Sequence, residues 1–274
     1  MRRRLARAWL LLIPAACSPE RELTLPAVLH ITTRDFAFET SDSVAAGRVR
    51  LTMRNAGPSY HHVQLVRINL DISWQQAIDS LPEDGSLLPW MIAVGGIEGP
   101  DDYSLAVTVD LDLTPGLHLL ICRIYASDGR AHSAHGMARP LHVVATERSG
   151  GQTDLAGEVT VGLLDYAFAA PDTIRSAVRS LRIENRGRED HHIAIARFAP
   201  GKSLPDALIE QSPTAPPTYT VLGGTAALAP GMRNILHVSL DPGRYVLLCF
   251  VLNRTTSVER HYQMGMIRAL TVIP

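Results

Sequence analysis

Lysine is almost missing from this chain. Lys202 is the only one among 26 basic residues, and 27 acidic residues bring the formal net charge to −1. The arginines are scattered and form no basic stripe, so a nucleic-acid-binding surface is not expected. Acidic runs and low-complexity tracts are absent too. No segment approaches the roughly 20 apolar residues that a membrane-spanning helix needs. Cysteine occurs three times, at positions 17, 122 and 249. No serine or acidic pair stands out with a histidine partner, which leaves a hydrolase without support. What remains is a chain of 274 residues, 46% of them hydrophobic, enough for two ordinary domains or one large one.

The N-terminus differs in kind from the rest. MRRRLARAWLLLIPAAC has a basic start, a short apolar run from about Ala8 to Ala16, and small residues before Cys17. This pattern predicts an export signal over residues 1–17. Small residues directly before a cysteine are similar to a bacterial lipoprotein cleavage site. Lipidation at Cys17 would then give a lipid-anchored periplasmic or outer-surface protein, and ordinary cleavage after Ala16 a soluble secreted one. With Cys17 used as an anchor, Cys122 and Cys249 could form one disulfide in an oxidising compartment.

The chain repeats itself. Residues 34–57 lie over 164–187 at an offset of 130, matching Asp35 with Asp165, Phe38 with Phe168, Asn55 with Asn185 and Gly57 with Gly187. YHHVQLVRI (60–68) lies over DHHIAIARF (190–198) at the same offset. TPGLHLLIC (114–122) matches DPGRYVLLC (241–249) at 127, and the closing strands match at 129. A period this long means a duplicated domain and not a solenoid. The polar, glycine-containing TERSGGQTD (146–154) reads as the linker, with domains expected at 23–147 and 153–274. The repeat puts Cys122 and Cys249 at equivalent positions of different domains, which argues against a disulfide between them.

Runs such as VRLTMRN, HVQLVRI, LAVTVDLD, HLLICRIY and PLHVVA are short, alternating or continuously apolar, and bounded by Gly, Pro, Asn and Asp. They predict an all-β fold of two β-sandwiches. One helical stretch is expected in each copy, at 71–81 with Asp71 as N-cap and at 203–212 with Ser203 as N-cap.

Six of the eleven histidines fall in three shared columns: His61 with His191, His62 with His192, and His132 with His261. Cys122 pairs with Cys249 and Met137 with Met266, whereas His135 is matched by Met264 and is not expected to be an essential ligand. Each copy therefore supplies imidazoles from separate segments, a cysteine and a methionine. A thiolate, two imidazoles and a weak thioether suit copper in a trigonal site with a long axial bond. Soft sulfur favours Cu(I) and imidazole accepts both oxidation states, so such a site exchanges electrons with little rearrangement.

Asn-x-Gly followed by His, then Pro-Gly, then Cys…His-x4-Met and a closing apolar strand resembles the cupredoxin (blue copper, plastocyanin-like) family, across both halves. The resemblance implies two tandem Greek-key sandwiches, each with a short helix in a long loop. It implies ligands His61, Cys122, His132 and Met137 in the first domain, and His191, Cys249, His261 and Met266 in the second. His62 and His192 then fall where the family has an asparagine that ties the ligand loops together. A redox or copper-delivery protein would be the partner. Multicopper enzymes of this architecture link copper sites through a His-Cys dipeptide, but Ile121 and Leu248 precede the cysteines here, and His-x-His pairs are missing. An electron-transfer or copper-carrying protein is therefore expected ahead of an enzyme. A metal-free binding or structural module at the cell surface is the other reading.

Overall fold

The computed structural model describes residues 25–146, 156–208, 216–253 and 259–274. The expected export segment with Cys17 and most of the expected linker lie outside these residues. The first half contains β1 (Ala27–Arg34), β2 (Ala37–Glu39), β3 (Ser43–Ala45), β4 (Gly47–Asn55), β5 (Val63–Ile68), β6 (Met91–Ile97), β7 (Ala106–Leu113), β8 (Gly116–Ile121) and β9 (Ala138–Val144). The second contains β10 (Val159–Leu164), β11 (Ala167–Ala169), β12 (Thr173–Arg175), β13 (Ser180–Asn185), β14 (His191–Phe198), β15 (Tyr219–Leu228), β16 (Arg233–His237), β17 (Gly243–Leu248) and β18 (Ile267–Ile273).

The side-chain period explains the strands. In β4, Val49, Leu51 and Met53 are fully buried while Arg50, Thr52 and Arg54 alternate to the other face. In β8 the run Leu119–Leu120–Ile121 is buried throughout, because both faces of that strand are covered. Each half is a Greek-key β-sandwich, as the family resemblance implied.

The two halves are not merely adjacent. One sheet has eight strands in the order β11-β10-β13-β16-β7-β4-β1-β2, and the other has ten in the order β12-β18-β17-β14-β15-β6-β5-β8-β9-β3. Both orders are palindromes in repeat terms: reading outward from the middle, each strand of one half meets its counterpart in the other. The join in the smaller sheet is β7 against β16, with Val109, Asp110 and Leu111 opposite Leu236, Ile235 and Asn234. In the larger sheet β6 touches β15 at Val94 and Leu228, extended by a bridge from Glu98 to Gly224. Strands that would be free edges of a single sandwich are thereby paired.

Side chains finish the join. Gln64, fully buried, accepts from the Ala227 amide at 2.9 Å and donates to the Ala227 and Gly95 carbonyls at 3.0 and 3.1 Å. Gly96 has φ +130°, and a Cβ there would stand 2.0 Å from the Val63 carbonyl oxygen; at Gly224 it would stand 1.9 Å from that of Ile193. Only glycine lets β6 and β15 approach β5 and β14 so closely.

The first helix is shorter than expected, and residues 209–212 of the second expected helix lie outside the described residues. α1 (Trp74–Asp79) starts at Ser73 and not Asp71: Ser73 Oγ accepts from the Gln76 amide, and Gln76 Oε1 accepts from the Ser73 amide. The capping residue is thus the one with a Gln three places on, which Asp71 lacks. α2 (Leu204–Ala207) is capped by Ser203, whose amide and hydroxyl both donate to Asp206. Cys122 and Cys249 are free and buried, as the repeat suggested. Among the described residues no helix is long and apolar enough to cross a membrane.

Candidate metal centres

In the first half, His61 lies just before β5 and Cys122 just after β8. His132 opens a short 3₁₀ turn, His132–His135, and Met137 precedes β9. Backbone bonds hold this loop in place: Met137 donates to His132 at 3.0 Å, Cys122 to Met137 at 3.1 Å and Ser133 to Cys122 at 2.9 Å. Gly136, at φ +97°, is the left-handed cap that sends the chain back toward the cysteine. The second half repeats this. Met266 donates to His261 at 2.9 Å, Cys249 to Met266 at 3.3 Å, and Gly265 has φ +112°. The glycine that precedes each methionine is therefore a backbone requirement.

The side chains converge. His61 Nδ1 and His132 Nδ1 are 3.1 Å apart, and Cys122 Sγ lies 3.6 Å from His132 Nδ1. In the second half His191 Nδ1 and His261 Nδ1 are 3.0 Å apart, with Cys249 Sγ at 3.6 Å from His261 Nδ1. Within each set every ligating atom lies within 4.8 Å of the others. All six residues are buried, and Met137 and Met266 are fully buried in the same hydrophobic core as the cysteines. Each methionine stands beside its set through its backbone bonds.

Carboxylates aim the first histidines. Asp35 Oδ1 is 2.6 Å from His61 Nε2, and Asp165 Oδ1 is 2.9 Å from His191 Nε2. The proton therefore sits on Nε2 and the lone pair of Nδ1 faces the site, as for metal-ligating histidines with a carboxylate behind them. Burial alone would raise the Asp35 carboxyl; the bonds from Ser59 and His61 outweigh it and hold it below its ordinary value. Burial, followed by the neighbouring imidazole, pushes His132 and His261 down to about 4, so both rings are uncharged at neutral pH. Burial also pushes both thiols up to about 12. Against that, each sulfur accepts backbone N–H bonds, in the second half from His192 at 3.4 Å. The counterpart bonds to Cys122 come from His62 and Ile124.

This donor set fits a cation. Two neutral nitrogen lone pairs and a sulfur point at one another in a dry pocket, with the amides already in place to stabilise a thiolate. An aromatic ring then covers each C-terminal histidine: Phe36 meets His132 edge-on at 4.9 Å, and Tyr166 meets His261 at 5.1 Å. Both rings are partly exposed. His135 turns away, stacking on Phe36 and lying 3.1 Å from Asp128.

His62 and His192 do tie the loops. His62 Nε2 accepts from the Arg123 amide at 2.8 Å, and His192 Nε2 accepts from the Phe250 amide. Nothing local in the sequence marks the carboxylates. Asp35 and Asp165 were visible as a repeated column, with no sign that they face the histidines. Glu98 was invisible to the repeat, because the paired glycines at 95–96 and 223–224 put Ala226 in its place.

No family model and no curated protein matches the chain. Among solved structures, a reduced auracyanin from Roseiflexus castenholzii is 21% identical, covering 43% of this chain and all of that one, with a TM-score of 0.29. A blue copper oxidase from Nitrosomonas europaea is 13% identical over 89% of this chain and 85% of that one, with a TM-score of 0.24. A Cu-containing nitrite reductase from Thermus scotoductus is 12% identical over 90% and 61%, with a TM-score of 0.24. The geometry of the two centres, not these distant likenesses, carries the functional conclusion.

Proposed function

We propose that this chain is an exported two-centre copper protein that carries electrons. His61, Cys122, His132 and Met137 would hold one ion, and His191, Cys249, His261 and Met266 the other. One observation carries the reading: each half buries two imidazole nitrogens and a sulfur that converge within 4.8 Å. Copper bound by such a set supplies one-electron chemistry.

The chain's own groups do the rest. Asp35 and Asp165 keep the proton on Nε2 so that Nδ1 is free to ligate. Loading must remove the thiol proton, because thiolate is the ligand. The backbone amides that already point at each sulfur then stabilise the charge. Burial excludes water from the ligands. The backbone bonds between Cys, His and Met fix where these residues stand, so copper held there would meet a preset frame.

Burial also favours electron transfer over copper carriage. A carrier must hand its ion over, which asks for a ligand within a partner's reach, and all eight of these residues are buried. A redox protein partner needs only to approach the partly exposed Phe36 or Tyr166 ring beside a ligand histidine. The basic, then apolar, segment ending at Cys17 supports export, with lipid attachment at that cysteine.

The test is a visible spectrum of the chain lacking residues 1–17, reconstituted with Cu(II), with copper counted on the same sample. Two coppers per chain and an intense thiolate-to-copper band are expected. Cys122→Ser and Cys249→Ser should each remove one share of that band, and the double variant all of it. A colourless protein that retains no copper would overturn the reading in favour of a metal-free module.

A further inference from the structure

Between the two centres lies a group that belongs to both. Glu98, just past β6, is only 4% exposed. Its Oε2 is 3.6 Å from His62 Nδ1 and 3.3 Å from His192 Nδ1. Its Oε1 is 2.5 Å from the Tyr60 hydroxyl. These residues line a cavity of about 430 Å³ between the halves, together with Arg123 and Phe250.

Hydrogen bonding fixes what the two histidines can do there. Each uses Nε2 to accept a backbone amide, from Arg123 or from Phe250. Each must then carry its proton on Nδ1, where it faces Glu98. A ring so arranged donates to a carboxylate and has no lone pair left for a metal. The group is therefore not a third metal site. It is an anionic clasp, with two N–H groups and one O–H directed at a single carboxylate. Burial alone would raise the Glu98 carboxyl, but the two imidazoles outweigh it and hold it well below its ordinary value, so the charge is present.

The clasp reaches both sulfurs. His62 and His192 each give their own backbone N–H to the cysteine sulfur of their half. Their rings hold the residue that follows that cysteine, and both rings meet Glu98. A chain of contacts thus runs from Cys122 through His62, Glu98 and His192 to Cys249. The symmetry is broken in one respect: the first half supplies the carboxylate, and the second has Ala226 at the equivalent place. A second glutamate there would put two buried negative charges together.

We infer that Glu98 is a positioning residue shared by both centres, so that the second half's centre is completed by a side chain of the first. This inference rests on the copper reading of the two sets.

The experiment uses Glu98→Gln in the full chain and in the Cys122→Ser and Cys249→Ser backgrounds, each of which leaves one centre intact. Copper affinity is expected to fall at both centres, each by the roughly 10–100-fold typical of lost outer-sphere support. In the metal-free protein, slowly exchanging Nδ1 protons of His62 and His192 are expected by NMR, and both should move in Glu98→Gln. Tyr60→Phe, which spares the carboxylate, should lower both affinities in the same direction by less, and it decides the matter if Glu98→Gln does not fold. An effect confined to one centre, or none at either with copper still bound, overturns the shared role alone. A parent protein that binds no copper overturns the copper reading and this inference with it.

Discussion

Oδ1 of Asp35 lies 2.6 Å from Nε2 of His61, at the back of the ring from the cysteine. The contact selects the tautomer, and its counterpart between Asp165 and His191 does the same in the second half. Asp35→Ala should weaken copper binding at the first centre by about 10–100-fold and leave the second unchanged. Asp165→Ala should do the reverse. Titration of each variant with copper, read in the Cys122→Ser and Cys249→Ser backgrounds, checks both.

Metal that binds only the folded state must stabilise it. At free copper 100 times the dissociation constant, each independent site adds about 2.7 kcal/mol. A chelator strong enough to empty both centres should therefore lower the melting temperature, and each Cys→Ser variant should lose about half of that shift. Calorimetry with and without the chelator makes the comparison.

Asp110 governs the acid limb of stability. Its side chain is fully buried on β7, at 2.6 Å from Arg48, 2.7 Å from Arg50 and 3.1 Å from His237 of the other half. Burial alone would raise its carboxyl; His237 and the two arginines outweigh it and hold it well below the ordinary 3.8. A carboxyl depressed by folding contributes stability that is complete above its unfolded value and is lost as pH falls toward the folded one. The contribution should thus be full at pH 6 and decline below about pH 4–5. Asp110→Asn should cost about 1–3 kcal/mol at neutral pH, the half-exposed arginines keeping it below the full cost of a broken buried pair. It should also flatten the fall in stability below that pH. Urea unfolding at a series of pH values measures both.

Gln64 is the polar pin of the interface. Replacing it by leucine keeps the volume but leaves the buried Ala227 amide and carbonyl without these partners. A loss of about 1–3 kcal/mol per unsatisfied group is expected. The counterpart change, Ala194→Gly, touches no such bond and should be mild. Denaturant midpoints of the two variants should separate clearly.

Much of this was legible in the chain because a duplication writes its essentials twice. Alternating runs such as VRLTMRN announce strands through a period of two, and the histidine, cysteine and methionine columns mark the segments that converge. Features that depend on what faces what were hidden. Asp35 looked like one more repeated position, since no local pattern says that it sits behind His61. Glu98 left no trace, because it lies where the copies differ. The join between halves was hidden too: β6 and β7 read as ordinary strands, and nothing in an edge strand's composition says which edge it will meet. Ser203 caps α2 as expected, but α1 starts at Ser73, two residues after the expected Asp71, because Gln76 completes its cap.

The palindromic strand order bears on how the chain is made. Leu111 and Asn234, paired across the join, are 123 positions apart, so that pairing can form only after most of the chain has left the ribosome. Contacts this distant in sequence form slowly. Until then the first half exposes β6 and β7 as bare edges, and the readiest complement to them is the second half of any chain nearby. Two chains exchanging halves would satisfy every pairing described above. The tether between halves, and not the interface itself, is what favours pairing within one chain over pairing between two.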